Sequence, residues 1–265
     1  MDTQDDPDPT PTCSDGTNPV SSGDFFALGG PYTVTCSATD LGGLSDDDSI
    51  TFTVVDTTDP TFDSTLTDMN VTATSSSGGV ATWTDPTASD IVDSAVSVVC
   101  ESAGGLGSGD TFPIGDTTVT CTATDDSTND TSFTFVVRVR YAWEGFFQPI
   151  DNPTGEGSTL DEHWNRAKAG SAIPAKFKLG GDMGLSVFAA GYPRAVQIAC
   201  PSSPEPTDPI EETVVTANSG LKYDSLAGQY IYVWKTPSNY ALKCFRFEVK
   251  LIDGTTHTAY FQFTK

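Results

Sequence analysis

The stretch TFPIGDTTVTCTATDD, residues 111–126, decides the fold of this chain. Its glycine marks a turn, and the residues that follow alternate between apolar and polar up to an Asp-rich turn, which is typical of a half-buried β-strand. The alternation places Val119, Cys121 and Ala123 on one face and the threonines on the other. A second version of the same stretch, FFALGGPYTVTCSATD, occupies residues 25–40. The chain therefore contains the same strand, with the same flanking turns, twice.

Composition extends the β interpretation to the whole chain of 265 residues. Thr, Ser, Gly, Asp and Val are favoured over Leu, Lys and Glu, a bias that supports strands and turns rather than long helices. Strand patterns recur about every eight to twelve residues, as in an immunoglobulin-like sandwich. We predict an all-β protein built of tandem immunoglobulin-like β-sandwich domains, of which the first is incomplete.

Residues 57–140 show the clearest strand pattern. VTATSSSGGVATWTDP is predicted as a strand, a glycine turn and a second strand, with Val80 and Trp83 near the core. The later strands have period two and place further residues on the buried side. These residues are Val96, Val98, Cys100, Phe133, Phe135, Val137 and Val139.

Six cysteines fall into three well-spaced pairs, with no CxxC motif and no Cys/His cluster. A zinc site or a redox dithiol is therefore a poor explanation for them. One pair per module indicates three disulfides and an oxidising, extracellular environment, with free buried thiols as the alternative. The predicted pairs are Cys13 with Cys36, Cys100 with Cys121, and Cys200 with Cys244.

Charge is divided unevenly along the chain. All 13 Lys and Arg residues lie at or after Arg138, and 23 of the 36 acidic residues precede it, so the first 137 residues carry the whole net charge of −23. This field excludes nucleic acids and anionic membranes as partners. It is explained by surface adaptation of an exported protein or, alternatively, by calcium binding, the one cofactor considered. The calcium candidates lie in Asp-rich turns and a linker without EF-hand spacing: Asp46, Asp47, Asp48, Asp56, Asp59, Asp125, Asp126 and Asp130.

Residues 55–140, from DTTDPTF through FPIGDTTVTCTATDD to TSFTFVVRV, resemble the hyalin repeat (HYR) domain. The similarity includes the frame of two cysteines. It departs from the family pattern in the last strand, where Ser132 or Phe133 replaces the usual cysteine. The resemblance implies an immunoglobulin-like extracellular domain that is associated with adhesion and has no catalytic residues.

Residues 13–56 match only the back half of that domain. They supply Ile50, Phe52 and Val54 as a last core strand, but the first strands are missing. The missing strands leave an apolar face and unpaired strand edges. Either the chain was cut from a longer protein, or another subunit supplies the strands by β-augmentation. The acidic, Pro-rich tail of residues 1–12 is unlike a signal peptide and is a poor donor strand.

Residues 141–265 end in two predicted hairpins, GLKYDSLAGQYIYVWKT and CFRFEVKLIDGTTHTAYFQF, the second turned at Asp253-Gly254. Before them, AWEGFFQPIDNP is predicted as a linker with exposed aromatic residues at an interdomain seam. STLDEHWNRAKAGS, residues 158–171, is predicted to hold a short helical turn.

This unit resembles the PxKF domain, named for a Pro-x-Lys-Phe motif that is here Pro174 to Phe177. The segments GLKYD, YVWKT and LIDGTTHTAYFQF extend the similarity. The resemblance implies a position at the C-terminal end of large secreted bacterial or archaeal proteins. It implies no defined activity.

Few residues are candidates for catalysis. His163, beside Asp161 and Glu162, is a candidate base or metal ligand and otherwise a surface residue, and His257 is predicted to point outward. The sequence contains no HExxH, no GxSxG and no phosphate-binding loop. We predict no catalytic residues, no cofactor-binding residues and no enzyme.

Two further features bear on function. The sequons at Asn70 and Asn129 are candidate glycosylation sites, and no apolar run reaches the length of a membrane span. We expect a secreted or cell-surface structural protein that self-associates into a layer, filament or stalk, with itself as its partner. The alternative is a set of accessory modules that bind glycan or matrix within a larger secreted enzyme or adhesin. Sugars would then stack on Trp143, Trp164, Trp234 and Tyr240.

Overall fold

A computed structural model describes residues 9–151, 164–201, 207–209 and 220–265. Strands dominate this part of the chain, and the single helix within it is the three-residue 3-10 helix Ser238–Tyr240. The all-β prediction is confirmed. The strands, numbered in chain order, are β1 (Thr12–Ser14), β2 (Pro19–Val20), β3 (Gly29–Thr39), β4 (Ser45–Val54), β5 (Thr61–Phe62), β6 (Met69–Thr72), β7 (Gly79–Val80), β8 (Ala88–Ser89), β9 (Val96–Ser102), β10 (Thr111–Phe112), β11 (Gly115–Asp125), β12 (Asp130–Arg140), β13 (Glu144–Phe147), β14 (Trp164–Lys168), β15 (Ala172–Lys178), β16 (Arg194–Ile198), β17 (Thr207–Pro209), β18 (Leu221–Asp224), β19 (Gln229–Lys235), β20 (Cys244–Lys250) and β21 (Thr256–Thr264).

The partial repeat consists of one four-stranded antiparallel sheet in the order β2-β1-β3-β4. Its register sets Cys13 opposite Cys36, and these two side chains form a disulfide. The pairing of β3 with β4 runs from Gly29 opposite Val54 to Thr39 opposite Ser45. β4 is therefore an edge strand along its whole length.

The second repeat has a four-stranded sheet in the order β6-β12-β11-β9 and two short strand pairs, β5 with β8 and β7 with β10. β6 runs parallel to β12, and the disulfide between Cys100 and Cys121 joins β9 to β11. The predicted alternation of β11 and β12 is confirmed by its buried side chains. Those at most 2% exposed are Val119, Cys121, Ala123, Phe135, Val137 and Val139.

Val80 is 52% exposed, which corrects the prediction that it lies near the core. Its neighbours Gly79 and Ala81 are buried instead. A Cβ atom on Gly79 would lie 2.6 Å from the carbonyl oxygen of Thr72, so the backbones approach too closely for any side chain at this position. With Gly79 facing inward, the alternation of β7 turns Val80 toward solvent.

Residues 141–265 contain a four-stranded sheet in the order β13-β15-β19-β18 and a five-stranded sheet in the order β16-β20-β21-β14-β17. β14 lies parallel to both β21 and β17. The third disulfide joins Cys200 to Cys244. Both predicted hairpins form, as β18–β19 and β20–β21. The inward residues of the second hairpin, none more than 4% exposed, are Phe245, Phe247, Val249, Leu251, Phe261 and Phe263.

Two local predictions in this region are wrong. Glu144–Phe147 is strand β13 rather than a linker, and Phe146 is only 5% exposed. The predicted helical turn over residues 158–171 is replaced at Trp164–Lys168 by β14, while residues 158–163 lie outside the described part. In both places, pairing with a strand distant in sequence overrides the local signal, because β13 bonds to β15 and β14 to β21.

The chain divides into two compact units. One holds the residues through Ser64 with Thr87–Val98 and Thr122–Thr131, and the other holds Thr65–Pro86, Val99–Cys121 and Ser132–Lys265. This division passes through the second repeat. The division into modules at 13–56, 57–140 and 141–265 therefore stays a prediction.

Candidate functional site

One face of the β1–β4 sheet carries a row of apolar side chains. Ile50 lies opposite Val34 and Phe52 opposite Tyr32, and cross-strand partners share a face. Ile50 is 63% exposed, and Phe25, just before β3, is 92% exposed. Val34 is 7% exposed, so Ile50 is the exposed member of the row, and an exposed apolar side chain on a sheet face makes that face a candidate interaction site.

The second repeat shows the same face when it is covered. The two hairpins share the same turn hydrogen bonds, from Asp40 to Leu44 and from Asp125 to Asn129, so Val119 corresponds to Val34 and Phe135 to Ile50. Val119 and Phe135 are 0% and 2% exposed. Trp83, from the front half of the repeat, packs edge-on against Phe135 with ring centroids 5.2 Å apart. The partial repeat contains no counterpart of Trp83. On its corresponding face Val34 is 7% exposed and Phe52 is half-buried, whereas Ile50 is 63% exposed.

An aromatic cluster closes one end of the exposed face. The ring of Phe26 lies 4.9 Å from that of Phe52 and 5.1 Å from that of Tyr32, measured between centroids. A cavity of about 370 Å³ lies beside the cluster, and Asp15 and Asp24 are among the residues that line it. Aromatic faces combined with carboxylates suit a cationic group. The first 137 residues contain no Lys or Arg that could fill the cavity.

The other end of the face is acidic. Asp46, Asp47 and Asp48 are exposed at the start of β4. Asp46 lies opposite Ala38 and Asp48 opposite Cys36, so both share the face of Ile50. Charges on an edge strand oppose pairing with a further strand. A partner of this surface therefore meets carboxylates at one end and hydrocarbon at the other, which favours packing on the face rather than extension of the edge.

A separate group of carboxylates gathers near the start of the second repeat. Asp56, Asp93 and Asp125 each offer an oxygen atom within 4.8 Å of the other two. Asp56 and Asp125 are predicted calcium candidates, whereas Asp93 lies outside the Asp-rich turns and no sequence pattern singles it out. Among the residues that the structure describes, no second group of this kind occurs. The candidates outside the group are Asp46, Asp47, Asp48, Asp59, Asp126 and Asp130.

Hydrogen bonds satisfy most, but not all, of the oxygens in this group. Asp125 is 6% exposed and accepts bonds from the backbone and side-chain nitrogens of Asn129 at 2.8 and 2.9 Å. Oδ2 of Asp56 is buried and accepts no bond from any described residue. A buried carboxylate oxygen without a donor is costly, and calcium prefers carboxylate oxygens as ligands. Asp56, Asp93 and Asp125 could therefore supply three of the six to eight oxygen ligands that calcium takes, and calcium binding stays a prediction.

The two sequons differ in accessibility. Asn70 is exposed on β6. Asn129 is half-buried, and its side-chain nitrogen donates to Oδ2 of Asp125 at 2.9 Å and to the carbonyl oxygen of Asp56 at 3.4 Å. A glycan on that nitrogen would replace one of its two hydrogens. Glycosylation of either residue stays a prediction, and Asn70 is the more accessible acceptor.

The aromatic residues that were candidates for sugar binding contribute to the hydrophobic core of residues 141–265. Trp164 and Trp234 are 4% and 7% exposed. Tyr240 is half-buried and stacks on Phe245 with ring centroids 3.7 Å apart. These side chains offer no flat exposed surface to a sugar ring. They stabilise the fold instead.

His257 is packed within this core, which corrects the prediction that it points outward. In β21, period two places it on the same side as the buried Ala259. Its ring stacks on Trp143 with centroids 3.7 Å apart and planes 3° from parallel, and Trp143 also stacks on Phe177. Burial lowers the pKa of His257 to about 4, although the charge of Asp253 acts in the opposite direction. The imidazole is therefore neutral near pH 7.

The other histidine, His163, lies outside the described residues, together with Asp161 and Glu162. The structure therefore leaves their role as a candidate base or metal ligand as a prediction. No other residue type in the described part of the chain was proposed for acid–base chemistry.

The five-stranded sheet carries a basic outer face. Arg166 and Lys168 are exposed on β14, and Glu248 on β20 accepts hydrogen bonds from Arg194 and Arg246, both at 2.7 Å. Burial acts to raise the pKa of Glu248, but the two arginines outweigh it and hold the pKa below its ordinary value. Glu248 is 4% exposed and remains a carboxylate. Sequence reasoning missed this face, because its strands come from separate parts of the chain.

Comparison with known proteins identifies one region. Residues 55–139 match the family model of the HYR domain, which confirms the resemblance drawn from the sequence. Hyalin of Strongylocentrotus purpuratus is 37% identical to this chain over 141 residues, which are 48% of this chain and 11% of hyalin. The chain thus spans a small part of that relative's length.

Solved structures give weaker similarities. The match with the Protocadherin gammaB7 EC3-6 cis-dimer structure has 17% sequence identity and a TM-score of 0.28. It covers 97% of this chain and 67% of the protocadherin chain. The Bacteroides ovatus mixed-linkage glucan utilization locus SGBP-B, in complex with a mixed-linkage heptasaccharide, is 12% identical, with coverage of 78% and 48% and a TM-score of 0.24. TM-scores of this size do not establish a shared fold.

The HYR match, the similarity to hyalin and the three disulfides together place the protein outside the cytosol, as a secreted or cell-surface protein of the adhesion type. Over the described ranges, no helix has the length and apolar character needed to cross a membrane.

Proposed function

We propose that this chain is a non-enzymatic extracellular adhesive protein that self-associates, and that another copy covers the exposed face of its β1–β4 sheet. The observation that carries the proposal is the contrast between two versions of one strand pair. In the second repeat the face of β11 and β12 is covered and its residues Val119 and Val137 are 0% exposed. In the partial repeat Val34, the counterpart of Val119, is 7% exposed, so the contrast lies at Ile50, which is 63% exposed where its counterpart Phe135 is 2% exposed.

Covering this face is favourable by ordinary hydrophobic burial. Fully burying an Ile side chain contributes about 1.5 to 3 kcal/mol, and Ile50 is 63% exposed. A sandwich needs two layers because a sheet with one apolar face must bury that face against another element. A sheet of another copy would supply the missing layer, which makes the partial repeat an assembly device.

The proposal assigns residues 141–265 a structural role, in line with their resemblance to the PxKF domain. Phe177, the last residue of the motif, is 0% exposed and stacks between Trp143 and Tyr230. Pro174 and Ala175 are buried as well. The motif therefore acts in packing and not as a ligand site.

Sedimentation equilibrium of the purified chain over a range of concentrations tests the proposal. We expect a reversible oligomer that Ile50→Asp weakens at least ten-fold, because the new carboxylate would be buried against hydrocarbon. Thr51→Asp is the matched control. Thr51 precedes Phe52 on the opposite face of β4, where its hydroxyl lies 3.0 Å from that of Thr33, so the same charge should leave association unchanged.

Two outcomes contradict the proposal. One is a chain that sediments as a monomer at all concentrations while remaining folded by circular dichroism. The other is an oligomer that both variants weaken equally, because that result would separate association from the apolar face.

A further inference from the structure

The five-stranded sheet presents a surface that suits the exposed face of the partial repeat. Cross-strand partners place Arg166 beside Gln262 on β21, Gln262 beside Cys244 on β20, and Arg246 beside Val196 on β16. These residues share the side opposite the buried phenylalanines of β21, on which Cys244 and Trp164 are 0% and 4% exposed, so the face is open only where its basic side chains lie. The basic residues on this side are Arg166, Lys168, Arg194, Arg246 and Lys250, and Glu248 is the one carboxylate among its described residues.

The basic side chains of this face stay accessible to a partner, although two of them form ion pairs within the face. Arg194 and Arg246 both bond to Glu248, yet their side chains remain 52% and 39% exposed. Arg166 and Lys168 are exposed two residues apart on β14, so their side chains leave the sheet on the same side, roughly 6 to 7 Å apart along the strand. The face therefore carries a row of positive charge at the spacing of alternate strand residues.

The partial repeat carries the complementary pattern. Asp46 and Asp48 are also alternate residues of one strand, on the face of Ile50, and their spacing is the same by strand geometry. Val196 and Ile198 lie on the same side of the sheet and are half-buried, but β20 and β21 separate β16 from β14, so these two side chains do not adjoin Arg166 and Lys168. With the two strands aligned, Asp46 and Asp48 would meet the bases of β14.

The distribution of charge along the chain indicates which part of a second copy would bind the acidic face. The first 137 residues carry −23 without a single base, so two such halves repel one another. All 13 bases lie from Arg138 onward. A partner that attracts the acidic part of one copy by charge must therefore present residues from Arg138 onward of the next copy.

We propose that the outer face of the five-stranded sheet docks on the β1–β4 face of a second copy, with Arg166 and Lys168 against Asp46 and Asp48. This inference rests on the proposed self-association and specifies its second surface. Since each copy carries both surfaces, the contact either closes after two or more copies or continues as a filament.

A charge-swap experiment on the full chain tests the docking. We expect Arg166→Glu with Lys168→Glu to weaken self-association at least ten-fold in sedimentation equilibrium at low salt, and Asp46→Lys with Asp48→Lys to do the same. Mixing the two double variants should restore association, because each then presents the charge that the other lacks. Lys222→Glu with Lys265→Glu is the matched control, since these exposed bases lie outside the outer face, and it should leave association unchanged.

The outcomes separate this inference from the proposed function. If association is lost in Ile50→Asp but survives both charge reversals and 0.5 M salt, the self-association stands and the docking surface is refuted. If the chain is monomeric yet binds heparin-agarose, and Arg166→Glu with Lys168→Glu loses that retention, the face binds an anionic polysaccharide and the docking is again refuted. If mixing the two double variants restores association while neither variant associates alone, the result supports the proposed contact between the outer face and the β1–β4 face.

Discussion

Replacing His257 by Phe should remove a pH dependence of stability that burial of the imidazole creates. The Phe side chain preserves stacking on Trp143, whose ring lies 3.7 Å from that of His257 between centroids, but it cannot bind a proton. The pKa of His257 is lowered from 6.5 in the unfolded chain to about 4 in the folded one by burial, against the smaller opposing effect of Asp253. The unfolded state therefore binds a proton between these pH values and the folded state does not.

The sign and size of the effect follow from linkage. Above pH 6.5 both states are neutral at this residue and the contribution to stability is complete. As the pH falls from 6.5 to about 4, stability is progressively lost, with a ceiling of about 3 kcal/mol. Because the imidazole is partly exposed, solvent screening reduces the loss to about 1 to 2 kcal/mol.

Urea unfolding at pH 7.5 and pH 4.5, followed by tryptophan fluorescence, measures this loss. Three of the four tryptophans, Trp143, Trp164 and Trp234, lie in residues 141–265, so the signal reports mainly on that region. The wild type should lose about 1 to 2 kcal/mol more than His257→Phe between the two pH values. The variant retains every carboxylate, so acid effects elsewhere cancel in the comparison. An equal loss in both proteins would refute the assigned pKa and the neutral, stacked state of the ring.

Two further predictions concern the repeats. Calcium at about ten times its dissociation constant should stabilise the chain by about 1.4 kcal/mol and raise its melting temperature. Asp93→Asn should abolish this rise, whereas Asp126→Asn, which changes an exposed neighbour outside the group, should retain it. An equal response of the wild type and both variants would refute the calcium site. Phe135→Ala should cost about 3 to 5 kcal/mol in chemical unfolding, since its side chain is 2% exposed, while Phe25→Ala, at 92% exposure, should cost less than about 0.5 kcal/mol. Similar losses in these two variants would contradict the contrast between covered and uncovered faces.

The sequence predicted the elements whose signal is local. Val119, Cys121 and Ala123 alternate with threonines, and that period alone identifies both the strand and its buried side. The turn at Asp253-Gly254 likewise identifies the hairpin of β20 and β21 from two adjacent residues.

Features that depend on distant residues were beyond such reasoning. Asp93 joins Asp56 and Asp125 only because the repeat folds, and nothing in its own surroundings distinguishes it. The sequence of β14 predicts a helical turn, and its pairing with β21 makes it a strand instead. His257 and Trp143 stack although they are far apart in the sequence. The basic outer face combines bases of β14, β16 and β20, and the chain order hides their proximity.

The parallel pairing of β6 with β12 has a mechanical consequence. These strands lie at the two ends of the second repeat, with Val137 opposite Met69 and Arg140 opposite Thr72. Tension entering at the start of β6 and leaving at the end of β12 would slide the strands past one another and load all their hydrogen bonds together, in contrast to a hairpin, which opens one bond at a time. The ion pair of Arg138 with Asp68, at 2.7 Å, lies across the same seam. Stretching single molecules should therefore show the repeat yielding in one abrupt step, a property suited to a link that must hold under pull.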